Sequence, residues 1–146
     1  MHIRPAHKDD LEALVAIGLL LWPGQDAAEV RSSALEALER DTEIAYIAQS
    51  SQHEPCGFAM FSLRTDYVEG STQSPTGYLE AVFVSSSARR SGLAAQLVST
   101  GAQWCKQQGC VQLASDVYLD NTTSQAFHEA IGFEETARLV TYIKGL

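Results

Sequence analysis

The chain lacks an apolar run long enough to cross a bilayer. Its longest, LVAIGLLLW at 14–22, falls far short of the roughly 20 residues a spanning helix needs. The opening MHIRPAHKDD is polar and has no secretory pattern, so no membrane partner and a cytoplasmic location are expected. Positive charge is scarce too: 10 Lys and Arg stand against 18 Asp and Glu, a net charge of −8. A nucleic-acid partner needs clustered cations to meet phosphates, and that class is excluded. A cationic small substrate fits such a field better. The three cysteines, Cys56, Cys105 and Cys110, are odd in number and have no metal-ligand spacing to the histidines. They read as reduced core or helix residues, with no metal site expected. No repeat, low-complexity tract or Pro/Gly/Ser linker divides the 146 residues, of which 45% are apolar and 19% charged. One domain spanning 1–146 with a sizeable core follows.

What is present reads as alternating elements. HIRPA (2–6) is expected as a short edge strand, with Pro5 tolerated near its end. Asp9 or Asp10 offers an N-cap to a helix burying Leu11, Leu14, Val15, Leu21 and Trp22, which WPGQD (22–26) breaks. A second helix starts at Asp26, with Val30, Ala34, Leu35 and Leu38 inward. EIAYIAQS (43–50) and CGFAMFSLRTDYV (56–68) form a hairpin, and a polar loop leads into YLEAVFV (78–84). An amphipathic helix over 92–108 turns Leu93, Leu97, Val98, Gly101 and Trp104 inward, and Gly109 ends it. VQLASDVY (111–118) is the next strand, TTSQAFHEAIG (122–132) a short helix, and FEETARLVTYIKG (133–145) supplies closing strands. Strand 78–84 reaches strand 111–118 through a helix, so that pair should be a right-handed parallel crossover in an otherwise antiparallel, mixed α/β (α+β) sheet.

The turn between strand 78–84 and its helix reads ARRSGLA (88–94). A helix N-terminus offers unpaired N–H groups and the positive end of its dipole, and a glycine lets an anion come close. Arg89 and Arg90 add charge at the same place. Taken alone, RRSG reads as an ordinary solvated turn with two surface arginines. There is no G-x-x-x-x-G-K-[ST], and the three glycines of a dinucleotide fingerprint are missing.

A second motif, DNTTSQAFHEAIGF (120–133), decides the context. V-x-x-x-x-R-R-S-G-L-A followed by N-x-x-x-x-x-x-H-x-x-x-G-F resembles the GNAT acetyltransferase superfamily, whose loop pattern [Q/R]-x-x-G-x-[G/A] matches Arg89, Arg90, Ser91, Gly92, Leu93 and Ala94. The resemblance implies a GNAT fold: a mixed central sheet with a splayed parallel strand pair and helices on both faces. It implies acetyl-CoA as acetyl donor, its pyrophosphate held by the amides of residues 90–95, Ala95 included. The backbone of Val82, Phe83 and Val84 would pair with pantetheine, and Asn121 and His128 would contact the cofactor.

Five further segments, LLWPGQD (20–26), DYVEG (66–70), SPTGYLEAVFV (74–84), ASD (114–116) and GFEET (132–136), resemble chromosomal-type aminoglycoside 6'-N-acetyltransferases. That likeness implies acetylation of the drug's 6'-amine, antibiotic resistance and a homodimer. It places Trp22, Tyr67, Glu80, Asp116 and Glu135 at the aminoglycoside. The chain departs from relatives at Ala137, where they often carry a carboxylate, and from the superfamily at His128, where a tyrosine is usual.

The residues agree in kind. Glu80 interrupts an apolar strand, where an unpaired carboxylate is costly; it is therefore exposed, paired or functional. Asp116 breaks the neighbouring strand. Acyl transfer to an ammonium requires a proton acceptor, either one of these carboxylates or an ordered water. The N–H of Val82 at the splay is positioned to stabilise an oxyanion. No cysteine is suited to a covalent acyl-enzyme, so direct transfer in a ternary complex is expected. Two other functions remain open: acetylation of a different small amine (polyamine, amino acid or peptide N-terminus), and a non-catalytic CoA-binding module.

Overall fold

The computed structural model describes residues 1–146. Three antiparallel pairings and one parallel pairing build a five-stranded sheet. Its strands are β1 (His2–Pro5), β2 (Glu43–Gln49), β3 (Pro55–Arg64), β4 (Thr76–Val84) and β5 (Leu113–Ser115), in spatial order β1-β2-β3-β4-β5. The first four pair antiparallel, and β4 pairs β5 in parallel. The crossover between β4 and β5 is helix α3 (Leu93–Gln107). Helices α1 (Leu11–Leu21) and α2 (Ala27–Glu39) follow β1, and α4 (Thr122–Ala130) follows β5.

Alternation along the strands feeds two cores, one on each face of the sheet. Ala45, Ile47 and Phe58 pack with Leu14, Ile17 and Val30 of α1 and α2. Tyr46, Phe61 and Leu79 pack with Leu93, Leu97 and Cys105 of α3. Gly101 sits where α3 lies flat on Phe61, so a Cβ there would fall inside the aromatic ring. The thiols of Cys56, Cys105 and Cys110 are free and buried, and burial pushes the Cys105 thiol up to about 12.

Four local expectations change. Asp10 precedes α1, but its side chain makes no cap bond to the helix. Its carboxylate instead takes both Arg4 Nη groups at 2.8 Å and the His7 N–H at 2.8 Å. The Arg4 guanidinium lowers the Asp10 carboxyl to about 2. The polar loop before β4 ends earlier than expected, because Thr76 and Gly77 already pair with Arg64 and Leu63. The strand expected over 111–118 shortens to three residues. The closing strands expected over 133–145 do not form: that segment has no strand partner within the chain. Phe133 still packs on the core, whereas Leu139, Val140, Tyr142 and Ile143 are 70–101% exposed.

Candidate active site

The β4–β5 pairing covers only Gly77–Leu79 against Leu113–Ser115. Beyond Leu79 the two strands part, which is the expected splay. From Ala81 to Val84, β4 keeps β3 on one side and has no strand on the other. The Ser85 N–H donates to the Cys56 carbonyl at 2.9 Å. Bonded and non-bonded pairs alternate along an antiparallel ladder, so the backbone groups of Val84 and Val82 face the free edge. Phe83, between them, faces β3. Arg89 Nε already donates to the Val84 carbonyl at 3.2 Å, lying along that edge.

The edge runs into the arginine turn. Arg90 and Gly92 adopt left-handed backbone, with φ of 61° and 78°, and Ser91 Oγ donates back to the Ala88 carbonyl at 2.6 Å. Gly92 is the residue before α3, and a Cβ added there would meet nothing within 4 Å. Left-handed residues at a helix start turn successive N–H groups into one concavity, an anion cradle. The space, the exposed Arg90 and the unpaired N–H groups at Leu93, Ala94 and Ala95 fit a pyrophosphate.

On β4 itself, Glu80 is an extra residue. Met60 pairs with Ala81 and Phe61 with Leu79, leaving Glu80 without a partner on β3. Such a bulge re-aims a side chain. Leu79 and Val82 face α3, while Ala81 and Phe83 face α1 and α2. Glu80 therefore joins Tyr78 on the latter face. There Glu80 Oε1 accepts from Ser62 Oγ at 2.5 Å, from Arg64 Nη2 at 2.9 Å and from Arg64 Nε at 3.2 Å. Arg64 Nη2 also reaches Oε2 at 3.1 Å. The Tyr78 hydroxyl donates to Asp116 Oδ1 at 2.6 Å. Burial and the Asp116 carboxylate both push that phenol well above its ordinary range.

Glu80 and Asp116 are thus brought together, linked through Arg64 and Tyr78. Neither Arg64, Tyr78 nor Ser62 was singled out from the sequence. Tyr78 had a signal, since it lies two residues before Glu80 on a strand; Arg64 and Ser62 depend on a register the sequence does not display. On the opposite face His128 Nδ1 lies 2.7 Å from the Ser124 carbonyl, and Nε2 lies 2.8 Å from Ser115 Oγ at the last paired residue of β5. Ser115 is a further neighbour of the splay that the motif reading passed over. Asn121 caps α4, its Oδ1 accepting from the Ser124 N–H at 3.1 Å.

The remaining candidates lie outside the hydrogen-bonded cluster. Trp22 packs edge-on against Phe58, with ring centroids 6.2 Å apart. Tyr67 is 80% exposed, and the nearby Glu69 carboxylate raises its phenol. Glu135 is exposed and ion-paired with Arg138. A concavity of about 430 Å³ lies elsewhere, between α3 and Tyr46, lined by Ser99, Gln103, Trp104 and Gln107. It holds no charged group and is not a seat for a polycation.

Residues 11–133 match the Acetyltransferase (GNAT) family. The chain belongs to that family. Among the relatives of this GNAT acetyltransferase, the aminoglycoside N(6')-acetyltransferase type 1 of Serratia marcescens is 40% identical over 138 residues, 94% of each chain. The protein of the same description from Salmonella enteritidis is 39% identical and covers 99% of both. In three dimensions the GNAT chain is similar to AAC(6')-Iy in complex with the bisubstrate analogue CoA-S-monomethyl-acetylneamine. That TM-score is 0.93, at 38% identity, over 99% of this chain and 98% of the other. It is equally similar, at TM-score 0.93 and 33% identity, to AAC(6')-Ig from Acinetobacter haemolyticus, over 100% of this chain and 99% of that one.

Proposed function

We propose that this GNAT chain transfers the acetyl group of acetyl-CoA to the 6'-amino group of aminoglycosides, directly and within a ternary complex, and so confers resistance. One strand carries the reading. β4 presents Glu80 in the cluster linked to Asp116, offers the free N–H of Val82 two residues later, and leads on to the Arg89–Gly92 cradle. The names of the sequence relatives and the bisubstrate complex of AAC(6')-Iy support the same substrate pair.

Acetyl-CoA supplies an activated thioester. The amides of residues 90–95 hold its pyrophosphate, and Val82 to Val84 align its pantetheine along the free edge. The Val82 N–H donates toward the acetyl oxygen as charge develops there. Asn121 and His128 line the cofactor side of the splay, with the His128 ring fixed between Ser115 and Ser124. Glu80 and Asp116 pair with the drug's ammonium groups, joined by Trp22, Tyr67 and Glu135 at the rim. The proton lost by the amine passes to one of the two carboxylates or to an ordered water.

The enzyme works as a homodimer in the cytoplasm, where its thiols stay reduced. The exposed apolar arm over 139–143 has no strand partner within the chain, β5 stands at one edge of the sheet, and a patch of that kind marks an interaction surface. A second copy of the chain covers it.

A thiol-release assay tests the function, with acetyl-CoA against kanamycin, tobramycin, spermidine and a peptide. The aminoglycosides should give the highest kcat/KM. Preference for spermidine or the peptide would move the enzyme to another amine. Acetyl-CoA binding by calorimetry without thiol release on any amine would make it a binding module.

A further inference from the structure

We propose that Arg64 is a positioning residue of the amine site: stacked on Tyr78 and forked onto Glu80, it fixes the two carboxylates, Glu80 and Asp116, as one array. The inference rests on the reading of this cluster as the seat of the amine.

A cation built into a site for cations looks self-defeating, and geometry resolves the conflict. Arg64, the last residue of β3, lays its guanidinium carbon 3.4 Å from the centre of the Tyr78 ring. In that plane Nε and Nη2 both meet Glu80. Tyr78 in turn binds Asp116. Ser62, Glu80, Arg64, Tyr78 and Asp116 therefore form one continuous chain of contacts. Glu80 stands on a bulge without a backbone partner on β3, so side chains alone aim it, and the cluster holds two negative charges, Glu80 and Asp116. Arg64 answers both problems.

The lone pairs also divide usefully. Glu80 Oε1 accepts three hydrogen bonds and Oε2 one, while Asp116 Oδ1 accepts the phenol. Oε2 and Oδ2 keep capacity for an incoming ammonium. A mere stabilising role explains less. The Arg64 and Glu80 side chains are 38% and 33% exposed, and a pair so open to water contributes little to stability. Lysine could neutralise Glu80 but has neither the fork nor the flat face for Tyr78.

The test uses the full chain and whichever amine the wild type acetylates fastest among kanamycin, tobramycin, spermidine and a peptide. R64M keeps an apolar stem over Tyr78 and removes charge and fork. Its kcat/KM for the amine should fall about 10- to 100-fold, the size expected for lost charge-assisted bonds, while the acetyl-CoA KM and the urea midpoint stay unchanged. R64K should recover only part of the loss, and added methylguanidinium should restore part of the activity of R64A. An amine kcat/KM that is unchanged or higher in R64M would overturn the proposal, making Arg64 a bystander or a competing cation. Equal losses in amine kcat/KM, acetyl-CoA KM and urea midpoint would overturn it in favour of a structural role. If spermidine or the peptide is the fastest amine and R64M impairs it selectively, Arg64 keeps its role and the aminoglycoside reading fails. If aminoglycosides are turned over and R64M acts like wild type, the reverse holds. A wild type that acetylates none of the four removes both.

Discussion

Glu80 owes its direction to one extra residue in β4, and its partners to the face onto which that residue turns it. In the proposed site its carboxylate and that of Asp116 meet the ammonium, so each should contribute a charge-assisted contact. In Glu80→Gln and in Asp116→Asn, kcat/KM for an aminoglycoside should fall about 10- to 100-fold, from roughly 1.5–3 kcal/mol per lost contact. The acetyl-CoA KM should stay within twofold, and steady-state kinetics with each substrate varied in turn measures both. Unchanged kcat/KM in both variants would contradict the assignment of the cleft. Much of the candidate site was legible as residue types: a carboxylate in an apolar strand, a second one just past the end of the next strand, and Arg-Arg-Ser-Gly before a helix. Each breaks a local rule, and such breaks are visible in a sequence. What was not legible is who holds these groups. Ser62 and Arg64 reach Glu80 across 18 and 16 residues of sequence, through a register set by a bulge that no local pattern announces.

At the scale of elements, the long periodic segments were readable because burial imposes their period. Helix α3 was expected over 92–108 and spans Leu93–Gln107, with Gly101 inward as anticipated. Its glycine carries a prediction. An alanine in a helix interior is ordinarily favoured over glycine by about 1 kcal/mol. Here its Cβ would enter the ring of Phe61, itself 1% exposed and hemmed in by the core. Overpacking of that severity outweighs the propensity gain, so Gly101→Ala should lose about 2 kcal/mol in urea unfolding. The β1–α1 corner carries another. Asp10 is held at about 2 against an ordinary 3.8 by Arg4, which corresponds to about 2 kcal/mol of stability. The folded-state value lies below the unfolded one, so that contribution is complete above about pH 4 and disappears as pH falls through about 2. Asp10→Asn should therefore be destabilised by about 2 kcal/mol at pH 7, and its deficit against wild type should close between pH 4 and 2. Parallel urea melts at several pH values would read this. The Asp10 pairing escaped a sequence reading because an aspartate before a helix has an ordinary use as a cap, and only the approach of Arg4 on β1 diverts it.

At the scale of the whole molecule, the closing strands are the instructive failure. LVTYI at 139–143 has the apolar, β-branched composition of a strand and stands exposed. Composition reports that a segment needs a partner, but not that the partner lies in the same chain. If a second copy supplies it, light scattering should give twice the chain mass of 15.9 kDa, and removal of residues 139–146 should give monomers. A monomeric full-length protein would contradict the dimer. The net charge of −8 acts at this scale as well, drawing a polycation toward the cleft at low salt and less so as salt screens it. The central claim is narrower than either: acetyl passes to one amine of one substrate class. The most direct measurement is NMR of the product formed from acetyl-CoA and kanamycin, which locates the acetyl group on the sugar. The account predicts a single acetyl on the 6'-nitrogen, formed with stoichiometric thiol release. Acetylation at another nitrogen, or no product while spermidine or the peptide is consumed, would contradict it.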